Sequence, residues 1–540
     1  MENQNTGSQI RLPLLLAVAL VLGIFIGQRL PRYDQDIVVS RSVISGTGAI
    51  DEILRYVQSK YVDTVDMEEL RTESIDHLLS KLDPHSVYIT PDELKAVEDE
   101  MSGEFEGVGI EFLMVDDTMQ VVTPLAGGPS EAAGILAGDK IVSINDTTIA
   151  GTKIDNGLIY KKLRGKKGSH VKLGILRGIE KEQRYFDITR DIIPVHSVDV
   201  AYMLDAKNGY IKINRFTDRT YQEFMEGLRP LAEEKGLQNL IIDLRGNPGG
   251  YLEEATEILS QIFPEGKLLV YTKGRTEKVR EYKSNGRARF NIQNVALLID
   301  EGSASASEIM AGAVQDWDRG WIVGRRSYGK GLVQEQYPLS NGGGLRLTIA
   351  RYYTPSGRCI QRDYKNDDDY AHEGERRLQN GELSDPSKAM IEDSTKYYTG
   401  FGRIVYGGGG VSPDVFIPLD TTYNNEYFVK LRQQLAQFVT RWMENADHKQ
   451  FGSDATNFVQ TWTVPESLLN ELVAYGEKQG IKKNAAQLFD CQQELKTLLK
   501  ARIGKNLFGN EALYMVLNDD DPAVEKALDL LKAGKQVARK

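Results

Sequence analysis

Apolar positions in the middle of this 540-residue chain alternate between short runs and helical stripes. Val295–Ile299 is an apolar run bounded by polar residues, and Leu240–Leu244 is similar, so both are predicted to be buried strands. Gly209–Ile213 alternates as a strand does, whereas Glu308–Trp317 has apolar residues at helical spacing. Strands that alternate with helices predict an α/β core, a mixed sheet with flanking helices, whose functional residues gather where strands end.

Both ends of the chain have helical patterns. In residues 35–100 the pattern breaks at Leu82–Ser86, where His85 beside a proline is interpreted as structural rather than catalytic. Residues 425–540 carry an apolar stripe typical of a packing face, formed by Phe428, Leu431, Leu435, Phe438, Val439 and Trp442. Docking on the core, homo-oligomerisation and binding of a partner are all compatible with this stripe, and the sequence does not distinguish them.

Composition argues against two kinds of site. The formal net charge of −11 disfavours a nucleic-acid-binding surface, which needs clustered lysine and arginine. The two cysteines, Cys359 and Cys491, are too few for a disulfide framework or a metal cluster. Asp367–Asp369 is interpreted as a solvated loop rather than a metal site, so no metal or cofactor is predicted.

A serine cluster follows the predicted strand Val295–Ile299. The turn Gly302–Ser307 leads directly into the predicted helix, so a hydroxyl there lies near unpaired N–H groups at the positive end of the helix dipole. A developing oxyanion is stabilised in such a place. The alternative is that the serines only cap the helix. The residues alone do not choose among Ser303, Ser305 and Ser307.

A lysine between two glycines, Lys330, follows the predicted strand Trp321–Val323. Burial disfavours the charged form of a lysine, and a neutral amine can act as a general base. Lowering a lysine pKa from about 10.4 to near 7 requires about 4–5 kcal/mol, which burial can supply. No histidine between His196 and His372 offers another base.

Two segments, GSASASEIMAGAVQDW at Gly302–Trp317 and VGRRSYGKGLVQ at Val323–Gln334, closely resemble the signature of the carboxy-terminal processing (tail-specific) proteases. That family uses a Ser–Lys dyad. The resemblance implies that Ser305 is the nucleophile, that Lys330 is the general base and that Gln334 orients Lys330. It extends over roughly residues 40–420.

A second signature of that family is DLRGNPGG, which stands at Asp243–Gly250. The resemblance implies an oxyanion hole made by the backbone amide of Ala306 and that of Gly249 or Gly250. A tight turn that needs glycine is the alternative interpretation, and the two are compatible.

Residues 101–190 resemble a PDZ module. The resemblance lies in a glycine-containing loop that is followed, at the spacing found in PDZ domains, by PSEAAG and AGDKIVSIN. Glycines let successive backbone N–H groups converge on a chain-terminal carboxylate while the peptide adds a strand to the sheet edge. The alternative is a small β-domain that packs as a lid and binds nothing. The predicted tail-binding residues are Gly107, Val108, Gly109 and Ile110.

The apolar run Leu12–Gly27, flanked by arginines, is predicted to be an uncleaved signal anchor rather than a cleaved signal peptide. Proteases of the resembling family act outside the cytoplasmic membrane, so a single-pass membrane protein with its protease on the periplasmic side is expected. The predicted regions are an anchor (1–34), a helical region (35–100), a PDZ-like tail-binding domain (101–190), a Ser–Lys protease core (191–424) and a helical extension (425–540).

The expected function is therefore a serine endopeptidase that cleaves proteins near their C-termini. A non-catalytic PDZ scaffold that binds protein C-termini is the alternative. Nucleotide binding is a further rival, because Gly324–Gly331 nearly matches a phosphate-binding loop. However, Gly331 replaces the hydroxyl residue that would bind magnesium, and the following residues alternate like a strand.

Overall fold

The computed structural model describes residues 48–125, 127–136, 138–177, 182–389 and 393–534. The chain divides after Ile75 into two compact units, and all sheets belong to the second. The helices are α1 Ala49–Lys60, α2 Met67–Leu79, α3 Pro91–Ser102, α4 Pro129–Ala132, α5 Asn156–Leu163, α6 Thr220–Glu233, α7 Leu252–Ser260, α8 Ala306–Asp316, α9 Asp367–Ala371, α10 Glu373–Gln379, α11 Glu426–Met443, α12 Ala455–Thr461, α13 Glu466–Lys478, α14 Ala485–Asn518 and α15 Pro522–Lys532.

The strands are β1 Val87–Ile89, β2 Glu104–Gly107, β3 Ile110–Val115, β4 Thr118–Pro124, β5 Lys140–Ile144, β6 Thr147–Thr148, β7 His170–Leu176, β8 Arg184–Thr189, β9 Asp191–Pro194, β10 Val198–Met203, β11 Asn208–Ile213, β12 Asn239–Asp243, β13 Leu268–Gly274, β14 Arg280–Lys283, β15 Asn294–Ile299, β16 Gly320–Gly324, β17 Leu332–Pro338, β18 Gly344–Tyr353, β19 Asp393–Tyr398, β20 Ile404–Gly407 and β21 Val415–Phe416.

The central sheet confirms the predicted α/β core. Its strand order is β10-β11-β12-β15-β16-β21, and all neighbours are parallel except the antiparallel pair β10 and β11. Strands β12 and β15 are apolar throughout their middles because α6, α7 and α8 cover one face of the sheet and α15 covers the other. Since β12, β15 and β16 are parallel, the loops that follow them emerge at one edge.

A second sheet is antiparallel and is built around β18, which pairs with β1, β13 and β17. In its register Gln334 on β17 lies opposite Thr348 on β18, and Val87 on β1 lies opposite Arg346. This sheet therefore brings a segment from near residue 85 beside the strand that carries Gln334.

The PDZ-like region forms its own antiparallel sheet, in the order β3-β4-β5-β7-β8, with a separate apolar core. The chain enters it through β2 and leaves through β9, and these two strands pair with each other in the register Glu104 to Pro194. The module is therefore an insertion closed at its base, with β3 as an edge strand.

The C-terminal extension has a separate helical core and also contacts the rest of the chain. Gln437 donates a hydrogen bond to the carbonyl of Met114 on β3, and Lys505 pairs with Glu111 at 3.0 Å. Tyr514 donates to Asp199 at 2.5 Å, beside the central sheet. Docking on the rest of the chain is thus a role that the extension performs.

The prediction of a single-pass membrane protein is not supported and must be corrected. Among the described residues, no helix combines the length and the apolar composition needed to cross a bilayer. The predicted anchor itself, Leu12–Gly27, lies outside the described residues. A smaller correction concerns Asp367–Asp369, which begin the short helix α9 where the sequence predicted a loop.

Candidate active site

Three loops meet at the edge of the central sheet where β12, β15 and β16 end. They are residues 244–250, 300–305 and 325–331, and they carry Gly249, Gly250, Ser303, Ser305 and Lys330, while Ser307 follows in the first turn of α8. Residues 332–338 form a strand rather than a helix, so the lysine loop is not a phosphate-binding loop, which must open a helix.

Ser305 lies immediately before α8 and has a strained backbone, with φ 54° and ψ −113°. Side chains that carry a β-carbon rarely adopt this left-handed φ, and such strain costs about 1–3 kcal/mol unless the surroundings enforce it. Residues with this strain cluster at functional sites. The strain therefore marks Ser305 as a candidate reactive residue on grounds that the sequence did not contain.

The three serines of the cluster differ in their surroundings. Ser303 is buried, and its hydroxyl donates to the carbonyl of Leu244 at 2.8 Å. Ser307 is also buried, and its hydroxyl donates to the carbonyl of Asn247 at 3.0 Å. Ser305 is partly exposed. Two of the hydroxyls are thus engaged in holding the loops, and Ser305 is the one of the three serines that is not buried.

Glu308 joins the serine turn to the lysine loop. Its fully buried carboxylate accepts hydrogen bonds from the backbone N–H of Ser305 at 2.9 Å, of Gly329 at 2.7 Å and of Lys330 at 2.8 Å. The hydroxyl of Ser327 donates to it at 2.5 Å. Burial raises the pKa of Glu308 to about 7, and the four donors oppose that rise.

Tyr352 makes a second connection between the same two loops. Its buried hydroxyl donates to the carbonyl of Ser305 at 3.1 Å and also contacts the carbonyl of Lys330. The backbones of Ser305 and Lys330 are therefore held next to each other from both sides. Within the described part of the chain, no hydrogen bond joins the Ser305 hydroxyl to the Lys330 amine, and catalytic hydrogen bonds are often long without substrate.

The environment of Lys330 favours a neutral amine. Burial lowers the pKa of Lys330, and the positive charge of Arg346 lowers it further. The carboxylates of Glu308 and Asp83 act in the opposite direction but do not outweigh the burial. A lysine in this environment can accept a proton more readily at neutral pH than an exposed lysine can.

His85 also lies within electrostatic range of Lys330, although the two are far apart in sequence. Burial lowers the pKa of His85 to about 4, and the charge of Lys330 contributes to this shift. Its Nε2 is 2.7 Å from the hydroxyl of Tyr370. The absence of a histidine near Lys330 in sequence therefore did not mean the absence of a histidine near it in space.

Of the two predicted oxyanion-hole glycines, Gly249 lies against Ser305 but has its N–H engaged, whereas the N–H of Gly250 is free within the part of the chain that the structure describes. A β-carbon on Gly249 would come within 2.6 Å of the Ser305 β-carbon and 3.0 Å of the Ala306 nitrogen, so Gly249 is in close contact with the candidate nucleophile. However, its N–H donates to Asn247 Oδ1 at 2.8 Å. Among the described residues, the N–H groups of Gly250 and Ala306 have no hydrogen-bond acceptor.

Gln334 donates through Nε2 to the Thr348 hydroxyl at 3.4 Å. No hydrogen bond from Gln334 to Lys330 is present among the described residues. The structure thus places Gln334 on the strand that continues from the lysine loop, with Thr348 as its side-chain partner.

Of the four predicted tail-binding residues, Val108 and Gly109 form the loop between β2 and β3, while Gly107 ends β2 and Ile110 begins β3. The Val108 carbonyl accepts from the hydroxyl of Ser130 at 2.6 Å, which anchors the loop to α4. Within the described residues, the N–H groups of Val108 and Gly109 have no acceptor. Two adjacent free N–H groups beside an edge strand are a suitable site for a carboxylate.

Sequence reasoning missed several residues that shape the site. Glu308 could have been found, because a glutamate three positions after a serine at a helix start is a capping-box pattern. Asp83, Arg346 and Tyr352 gave no such signal, since only the pairing of β1, β17 and β18 brings them to the lysine loop.

Models of three families match the chain. Peptidase family S41 matches residues 207–370, the PDZ domain matches residues 107–188, and a family of unknown function matches residues 427–509.

Two curated proteins are similar over most of their length. The chain is 36% identical over 316 residues to the carboxy-terminal processing protease CtpB of Bacillus subtilis (strain 168), covering 58% of this chain and 65% of that protein, just under two thirds of it. It is 34% identical over 351 residues to the carboxy-terminal-processing protease of Bartonella bacilliformis (strain ATCC 35685 / KC583 / Herrer 020/F12,63), covering 64% of this chain and 80% of that protein. Among solved structures, a photosystem II D1 C-terminal processing protease is 26% identical with a TM-score of 0.34, covering 68% of this chain and 86% of that one.

Proposed function

Because the chain belongs to the carboxy-terminal processing proteases of peptidase family S41 and contains a PDZ domain, we propose that it is a serine endopeptidase that cleaves protein substrates near their C-termini, with Ser305 as nucleophile and Lys330 as general base. The observation that carries this proposal is the shared anchorage of the two residues. Glu308 binds the backbone of both, and Ser305 alone of the three serines is accessible.

The proposed reaction begins when the neutral amine of Lys330 takes the proton of the Ser305 hydroxyl as the oxygen attacks the scissile carbonyl. The carbonyl oxygen becomes an oxyanion, and the amides of Ala306 and of Gly249 or Gly250 stabilise it. Lys330 then returns the proton to the leaving amine, which leaves an acyl-enzyme. Water attacks the acyl-enzyme as Lys330 accepts its proton, the ester bond to Ser305 breaks to release the new carboxyl terminus, and Lys330 returns the proton to the Ser305 oxygen.

Lys330 is a better base than the neighbouring His85. An imidazole with a pKa of about 4 is a weak proton acceptor at neutral pH, whereas burial lowers the pKa of the Lys330 amine and so favours the neutral form that can accept a proton. His85 is also engaged with Tyr370. The proposed role of His85 is therefore structural, as the proline beside it suggested.

Tail capture by the PDZ domain is the second part of the proposal. The free N–H groups of Val108 and Gly109 would bind the terminal carboxylate, and the substrate would extend along the edge strand β3. Gly107 and Ile110 flank this pair at the ends of β2 and β3, where they fix the loop between two strands. A pure scaffold needs the same module but has no use for the arrangement around Ser305.

A serine-reactive phosphonate tests the enzyme against the scaffold. The wild-type protein is expected to form one covalent adduct, located at Ser305 by mass spectrometry, and to cleave a protein substrate near its C-terminus. Ser305→Ala is expected to lose both the adduct and the cleavage while it keeps tail-peptide binding, and Ser303→Ala serves as the matched control for labelling. An unlabelled but tail-binding wild type would favour the scaffold.

Arg346→Gln is expected to move the pH dependence of cleavage to higher pH. Lys330 acts as a base only when it is deprotonated, and the charge of Arg346 lowers the pKa of Lys330, so its removal raises that pKa. At neutral pH we expect kcat/KM to fall by up to about tenfold, with recovery in alkaline buffer. Arg346→Lys keeps the charge and is expected to keep the profile, which is measured as kcat/KM against pH. An unchanged profile in Arg346→Gln would mean that Lys330 is not the titrating base.

A further inference from the structure

Asp83 connects the segment before β1 to the strand that faces Gln334. Its buried carboxylate accepts hydrogen bonds from the Thr348 hydroxyl at 3.0 Å and from the Ser86 hydroxyl at 2.6 Å. Thr348 lies opposite Gln334 in the β17–β18 register and accepts its Nε2 at 3.4 Å. Asp83, Thr348 and Gln334 therefore form one continuous chain of hydrogen bonds that ends four residues from Lys330.

The chemistry of these groups fixes which group donates and which accepts in each hydrogen bond of this series. A carboxylate can only accept, so the single proton of the Thr348 hydroxyl is donated to Asp83. The Thr348 oxygen can then only accept from Gln334, which requires the amide nitrogen on that side. A reversed Gln334 amide would set two acceptors against each other with no proton between them. The carbonyl oxygen of Gln334 must therefore face away from Thr348.

We propose that Asp83 is a positioning residue that fixes the amide direction of Gln334, so that Gln334 presents an oxygen and not an N–H to the amine of Lys330. This inference rests on the proposed function, in which Gln334 orients Lys330. An oxygen accepts an N–H of the neutral amine and leaves the nitrogen lone pair free for the proton of Ser305. An amide N–H in its place would occupy that lone pair and block proton transfer.

Asp83→Asn and Thr348→Val test the proposal by changing two different members of this series of hydrogen bonds. An asparagine can donate as well as accept, so the Thr348 hydroxyl is no longer forced to turn one way. A valine keeps the shape of the threonine and leaves the Asp83 charge in place. Each change is expected to lower kcat by about 10- to 100-fold with KM for a tail-bearing substrate unchanged.

The decisive measurement repeats both changes in a Gln334→Ala background. If Asp83 and Thr348 act through Gln334, neither change lowers kcat further once Gln334 is absent. Equal losses in both backgrounds would show that Asp83 and Thr348 do not act through Gln334 and would overturn the proposal. If Asp83→Asn does not fold, as judged by circular dichroism and Tm, Thr348→Val carries the same test alone.

Ser86→Ala is the comparison variant: it removes another donor to the same carboxylate, and with it the acceptor of the Thr348 backbone N–H at 3.1 Å, but it leaves the hydrogen bond from the Thr348 hydroxyl to Asp83 in place. It is expected to lower Tm while kcat stays within about twofold of wild type. A loss in Ser86→Ala as large as that in Asp83→Asn would contradict the proposal. Failure of the proposed function is distinguishable, since either the wild type would not cleave at all or Ser305→Ala would cleave as well as the wild type does.

Discussion

Replacement of Lys330 by methionine is expected to reduce kcat/KM for substrate cleavage by at least about 10³-fold. Methionine is close to lysine in length and fills the same half-buried space, but it has no amine to take the proton of Ser305. The Ser305 hydroxyl would then attack without an activating base, and the remaining rate would come from the oxyanion-stabilising amides and substrate binding. Tm is expected to stay unchanged or to rise, because a buried amine is removed.

The measurement is kcat/KM on a substrate with a native tail, together with tail-peptide affinity, which should be unchanged. Lys273→Met, on the exposed surface of β13, is the matched control for the same chemical change. Retention of cleavage within about tenfold in Lys330→Met would exclude Lys330 as the base. His85 would then be the next group to test, despite its low pKa.

Gly249→Ala is expected to lower kcat/KM by about 10²- to 10³-fold, the second-largest effect. The added methyl would meet the Ser305 β-carbon at 2.6 Å and the Ala306 nitrogen at 3.0 Å, so the nucleophile or its amide must move. Gly249 also has a φ of +98°, which alanine adopts only with strain. Both effects act directly on the serine turn.

Gly246→Ala separates the two effects. Gly246 is in the same loop with a φ of +67°, but a β-carbon there would meet no atom within 4 Å. Both variants should therefore lose stability from backbone strain, measured as Tm, whereas only Gly249→Ala should lose activity. A similar loss of kcat/KM in the two variants would mean that strain in the loop, and not contact with Ser305, is responsible.

The sequence predicted the central sheet and its three loops because each motif follows directly on a buried strand of a parallel sheet. Local pattern is sufficient there, since the strand fixes where the loop begins. It was not sufficient to choose among the serines, because burial of Ser303 and Ser307 is a property of the packed loops. The same applies to Gly249 and Gly250, which differ in their contacts and backbone conformation in the folded loop.

The surroundings of Lys330 were outside the reach of sequence patterns. Asp83 and His85 come from about 250 residues earlier in the chain, and the antiparallel pairing of β1 with β18 brings them to the site. Non-local pairing of this kind leaves no periodicity that a sequence reader could detect. The interpretation of His85 as structural holds as a proposal, whereas its nearness to the lysine was not foreseen.

Contact between the helical extension and the PDZ module likewise could not be predicted from the apolar stripe of residues 425–540. The stripe describes the internal core of the extension, whereas the contacts to the module are polar, among them the pair of Lys505 with Glu111. Polar surface contacts have no sequence signature, because exposed charged residues are common on every helix.

The buried carboxylate of Glu308 has a consequence for how the site comes apart. A single buried carboxyl group accepts hydrogen bonds from both loops, so if either loop moved away alone that group would lose its donors inside the protein, which is costly. The proposed nucleophile and base are therefore expected to be ordered or displaced together, and a site with only one of the two loops in place is disfavoured. The serine turn and the lysine loop therefore behave as one cooperative unit rather than as two independent loops.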